Sequence, residues 1–74
     1  MRKIIINPEI CNGRPVIEGT RITAQTVLGF LSAGDSIEDV LDEYPSLSRE
    51  DVLECLAYSV RLMKNHSSVQ AINL

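Results

Sequence analysis

At Thr23 the hydrophobic period of this chain changes, and that switch limits the folds open to it. Upstream, apolar residues come in short β-branched runs broken by glycine and proline. Downstream they recur every three or four residues. "KIII" at residues 3–6 reads as a short strand that Asn7-Pro8 ends. "PVI" at 15–17 reads as a second extended run, in which Pro15 suits only the first residue or an edge. Gly19 reads as a turn residue, because glycine takes positive φ without steric cost. "TRIT" at 20–23 resumes the extended chain or leads into a helix. Residues 1–22 are thus expected to form a small β arm.

From Thr23 onward the spacing predicts three helices. Ala24, Val27, Leu28 and Leu31 fall on one helical face, with Thr23 as N-cap and Gly34 as the C-terminal glycine. Ile37, Val40, Leu41 and Tyr44 repeat that spacing after Asp35 or Ser36, either of which can cap. Pro45 disfavours helix at Tyr44 and stops the second helix there. Ser48 followed by Asp51 resembles a capping box for the third, with Asp in place of Glu or Gln. Val52, Leu53, Leu56, Ala57, Val60 and Met63 then make one broad apolar stripe. Glu50, Asp51 and Glu54 near its start, and Arg61 and Lys64 near its end, complement the helix dipole. The expected fold is mainly α: a short N-terminal β arm before a three-helix bundle. The single domain covers residues 1–64, made of an arm over 1–22 and helices over 23–64, with a frayed tail over 65–74.

At 74 residues the chain allows one domain, with little room for an enclosed active-site cavity. Its 45% hydrophobic and 23% charged residues suit a globular domain rather than a disordered one. No apolar run is long enough to span a membrane, and "MRKIII" is too short for a signal-peptide core, so a cytoplasmic protein is expected. Cys11 and Cys55 form no CxxC pair and are expected to be free thiols, Cys55 as a small core residue. No metal or other cofactor is expected, since His66 is the only histidine. Charge is uneven along the chain. Residues 1–21 hold four basic and two acidic side chains, whereas residues 22–74 hold three basic and eight acidic ones. The two parts should meet different partners.

Three stretches in order, "GRPVIEGTRI", "GDSIEDVLDEYPSL" and "EDVLECLAYS", resemble the small prokaryotic domain-of-unknown-function family 433. The resemblance covers residues 4 to 60. Cys55 stands where many relatives have alanine. The resemblance implies a homeodomain-like, helix-turn-helix arrangement of the three helices. It also implies a likeness to Vap-type antitoxins, which are encoded beside PIN-like ribonuclease toxins, and so a non-enzymatic binding protein that is a homodimer or part of a larger complex.

Several residues then invite competing readings. Arg21 folds back onto the acids of the second helix, or it is offered, like Arg14, to carboxylates of a partner or to phosphate. A guanidinium at a PIN-like site could engage the metal-holding carboxylates bidentately. Thr20 lies beside Arg21 and is grouped with it as a contact residue, as is Arg49 at the start of the third helix. Phe30 falls off the main stripe of the first helix, either as an exposed interface anchor or packed under the arm. Gly13, Pro15 and Gly19 read as conformational, because no GxxxxGK[ST] phosphate loop is present. Gly34, Tyr44 and Pro45 read as structural punctuation. Helix-turn-helix geometry points to operator DNA, but Asp35, Glu38, Asp39, Asp42 and Glu43 would repel phosphate. A DNA-binding regulator without a toxin and an adaptor docking through its acidic second helix therefore stand as alternatives. Catalysis lacks support, since Cys11 and Cys55 have no histidine near them in sequence and paired carboxylates on a polar helix face are ordinarily solvated.

Overall fold

The computed structural model describes residues 2–65. The elements run β1 (Ile4–Ile5), β2 (Val16–Ile17), α1 (Ala24–Ser32), α2 (Ile37–Glu43) and α3 (Arg49–Asn65). The expected mainly α fold, a short β arm before three helices, is what the chain forms. Of the tail expected over 65–74, Asn65 closes α3 and residues 66–74 lie outside the described residues.

β1 and β2 pair antiparallel, with Ile4 opposite Ile17 and Ile5 opposite Val16. Both strands are shorter than the β-branched runs suggest. Asn7 ends the first by folding its side chain onto the backbone: its Oδ1 accepts from the Glu9 amide at 2.9 Å. A left-handed turn then reverses the chain. Cys11, Asn12 and Gly13 have successive φ values of +52°, +59° and +78°. The amides of Gly13 and Arg14 close it on the carbonyls of Ile10 and Cys11, at 3.0 and 3.1 Å. Asn and Gly tolerate this region, but Cys11 carries a cost of about 1–2 kcal/mol there. β2 is flanked on both sides. Its second neighbour is the Ile22–Thr23 segment, through a Val16–Thr23 bridge and an Ile17 amide bonded to the Ile22 carbonyl at 3.0 Å.

Thr23 is thus the last extended residue and also the N-cap of α1, its Oγ1 accepting from the Thr26 amide at 3.0 Å. At the other end, Gly34 (φ +104°) closes a Schellman motif. The Asp35 amide bonds to the Phe30 carbonyl, and the Gly34 amide to the Leu31 carbonyl, each at 3.1 Å. Ser36 rather than Asp35 caps α2, in a reciprocal pair with Asp39. Tyr44 leaves the helical region just before Pro45. Ser48 and Asp51 form the same reciprocal pair at the start of α3, at 2.9 and 3.2 Å.

The core joins Ile17 from the arm, Ala24 and Val27 from α1, Val40 from α2, Leu47 from the α2–α3 connection, and Val52 and Cys55 from α3. Val16 and Ile17 are wholly buried, so the arm is part of the core and no appendage. The broad stripe of α3 divides. Val52 and Cys55 face the bundle, whereas Leu53, Leu56, Val60 and Met63 face away from it and stay 36–71% exposed. Two helices and a two-stranded sheet cover only one side of α3, and no further element among the described residues covers the other. Among the described residues no helix is long and apolar enough to cross a membrane.

Candidate binding surface at the hairpin loop

Residues 18–21 connect Ile17 to Ile22 in a loop with little freedom. Gly19 (φ +81°) takes the position where a type II turn requires positive φ, and the Thr20 amide closes the turn on the Ile17 carbonyl at 3.0 Å. The Thr20 hydroxyl donates to that carbonyl at 2.8 Å and accepts from the Ile22 amide at 3.0 Å. From the left-handed turn, the Cys11 thiol donates to the Arg21 carbonyl at 3.3 Å. Thr20, grouped with the contact residues by sequence, therefore spends its hydroxyl inside the loop. It is a brace for its neighbour.

That neighbour, Arg21, is exposed, and its guanidinium has no partner among the described residues. Arg14 is likewise exposed and unpaired there. The reading in which Arg21 folds onto the acids of the second helix does not hold. Arg2 makes the inward contact instead, and with α3. Its Nη2 donates to the Ser46 carbonyl at 2.9 Å, and its Nε lies 3.8 Å from Asp51 Oδ2. Asp51 is 3% exposed, so its carboxylate needs both the Ser48 amide and a cation to offset lost hydration. β1 packs beside α3 and brings Arg2 there, whereas the hairpin carries Arg21 to an exposed loop. Sequence reasoning missed Arg2. Its only signal was a buried acid at the third position of a helix, and burial is not visible in a local pattern. Between the loop and the start of α3 lies an open groove lined by Arg2, Glu18, Arg21, Ser46, Glu50 and Asp51.

The other candidates are placed differently. Arg49 pairs with Glu38 of α2, so the first residue of α3 is turned to its neighbour helix and not offered outward. Asp39 is engaged in its cap, which leaves Asp42 and Glu43 as the acids of α2 without partners among the described residues. Phe30 is half-buried, packed edge-on against Tyr44 with ring centroids 6.0 Å apart. It locks the α1–α2 corner against the core and is not a fully exposed anchor. Gly13, Pro15, Gly19, Gly34, Tyr44 and Pro45 hold the conformational places assigned to them: three turns with positive φ, the residue before β2, and the end of α2. Tyr58 sits under the Arg61 guanidinium at 5.9 Å, and Arg61 also bonds to Glu54 at 3.2 Å.

Both cysteines are free thiols, Cys11 half-buried and Cys55 buried. Burial pushes the Cys55 thiol up to about 11, helped by the negative charges of Asp51 and Glu54. It stays protonated at neutral pH. Among the described residues no cluster of three or more His, Cys, Asp or Glu could hold a metal ion. His66 lies outside them.

Three comparisons bear on this geometry. The family model described as "Protein of unknown function (DUF433)" matches residues 4–59, which takes in the arm, α1, α2 and most of α3. The chain is similar to the uncharacterized protein y4eO of Sinorhizobium fredii (strain NBRC 101917 / NGR234), 38% identical over 52 residues. That alignment covers 69% of this chain but 24% of the relative. It is also similar to a DUF433 member protein from Anabaena variabilis ATCC 29413, whose crystal structure was determined at 2.00 Å resolution. There the TM-score is 0.77 at 28% identity, covering 88% of this chain and 64% of that one. The chain thus spans about a quarter of the curated relative and under two thirds of the solved one. With the family model matching residues 4–59 and the solved relative sharing the fold, this chain belongs to the DUF433 family.

Proposed function

We propose that this domain is a non-enzymatic, antitoxin-type binding protein that neutralises a PIN-like ribonuclease by presenting Arg21 to its acidic site. One observation carries the reading: Arg21 is exposed and unpaired on a loop fixed by the Thr20 hydroxyl, the Gly19 turn and the Cys11 thiol. A braced loop removes the backbone share of the ordering cost when its cation meets carboxylates, and a guanidinium can engage a carboxylate with two parallel hydrogen bonds. Arg14 adds a second exposed positive charge to the arm. Docking of α3 in a DNA groove has weaker support, because Arg49 is tied to Glu38 and Glu50 follows it. Repression of its own operon is therefore a secondary part of the proposal.

The test is co-expression with the product of the neighbouring gene, which this reading expects to be a small nuclease, followed by an RNA-cleavage assay of the purified pair. Wild-type protein should co-purify and suppress cleavage. Arg21→Ala should restore cleavage while its thermal midpoint stays that of the wild type. Failure to form a complex, or full inhibition by Arg21→Ala, overturns the reading. A promoter-specific gel shift by the chain alone would favour the regulator instead.

A further inference from the structure

The outer face of α3 has the pattern of a helix seam. Leu53, Leu56, Val60 and Met63 are spaced three, four and three residues apart, which is the a/d repeat of a coiled coil. All four are exposed, at 47%, 36%, 54% and 71%. Ala57 lies beside the seam and gives a second helix room for close approach. Charge along the same flank is segregated: Glu50 and Glu54 lie in the N-terminal half, Arg61 and Lys64 in the C-terminal half.

We infer that α3 is a dimerisation helix, pairing antiparallel with α3 of a second copy of this chain through Leu53, Leu56, Val60 and Met63. The charges select this occupant and this direction. With Leu53 against Met63 of the second copy and Leu56 against its Val60, Glu50 falls opposite the second copy's Lys64. The same register sets Glu54 opposite the second copy's Arg61. One two-fold axis near Ala57 satisfies both pairs, as an isologous contact demands. A parallel pair would set acid beside acid and base beside base. The existing Glu54–Arg61 contact, 3.2 Å within one helix, becomes half of a four-charge cluster about the axis. Exposed charges of this kind fix direction and register, and the apolar seam supplies the affinity. The apolar residues of the seam lie outside the groove at the hairpin loop, which of the seam's residues only Glu50 also lines, so the inference goes beyond the role proposed for Arg21.

Sedimentation equilibrium of the 74-residue chain over a range of concentrations tests it. A reversible monomer–dimer equilibrium is expected, and Val60→Lys should weaken the dimer by about tenfold or more. Because Val60 is 54% exposed, the circular dichroism of that variant should match the wild type. Glu50→Lys sets two cations together and should also weaken the dimer, and adding Lys64→Glu should restore it. A chain that is monomeric at every concentration, as it would be if residues 66–74 or a different protein covered the seam, overturns the inference. So does a dimer untouched by Val60→Lys, or one that the double charge exchange fails to restore. Val60→Lys should still inhibit the nuclease in the cleavage assay, which keeps a failure here distinct from a failure of the Arg21 reading.

Discussion

Arg2 and Arg21 border the same groove, yet their identical side chains have different fates. Arg2 is held by a carbonyl and by a nearly buried carboxylate. Arg21 sits on the braced loop with its guanidinium exposed. Nothing local in sequence separates them, because their fates depend on which element each strand lies beside. Cys55 shows the same dependence, and it has a measurable consequence. The folded protein holds its thiol proton up to about 11, against an ordinary value of 9.0. Between those values the unfolded chain binds fewer protons at this site than the folded one, so stability falls as pH rises through that window. The urea midpoint should therefore drop between about pH 8 and about pH 10.5, by more in the wild type than in Cys55→Ala. Equal drops in the two proteins would place the effect on other groups.

At the scale of elements, the boundaries were the most legible part of the chain. Thr23, Ser36, Gly34, Pro45 and the Ser48–Asp51 pair act through hydrogen bonds and steric limits spanning a few residues, so their sequence signals are self-contained. Gly34 offers a clean test. Nothing lies within 4 Å of where its Cβ would be, so the cost of a side chain there is conformational alone. Gly34→Ala should cost about 1 kcal/mol and lower the thermal midpoint by roughly 4–8 °C in a domain of this size. No change in the melt would mean that the α1 terminus relaxes freely. The inner and outer faces of α3 were less legible. Val52 through Met63 reads as one continuous stripe, and only the number of neighbouring helices decides which part is covered. The left-handed turn at Cys11–Gly13 was half-visible: Asn12-Gly13 permits it, but cysteine at positive φ is not a signal sequence reasoning looks for.

At the scale of the whole molecule, the core is a single small cluster with a contribution from the arm and every helix. Stability in so small a domain lies near the low end of about 5–15 kcal/mol, so one large truncation is a large fraction of it. Ile17→Ala should cost about 2–5 kcal/mol, seen as a sharp fall in the urea midpoint, whereas Ile6→Ala, at a residue 62% exposed, should change it by under about 0.5 kcal/mol. Similar small effects would mean that the arm is not part of the cooperative unit. The candidate site was legible only as a stretch: "GRPVIEGTRI" marked where to look, but that Arg2 and not Arg21 turns inward follows from long-range pairing of β1 with β2 and α3. Thr23 ties these levels together, since one residue is both the bridge partner of Val16 and the cap of α1. No peptide bond there separates a sheet part from a helix part. The region from the first strand to the third helix can therefore be joined to a longer protein, as in the curated relative of which the alignment covers 24%, only as one indivisible cassette.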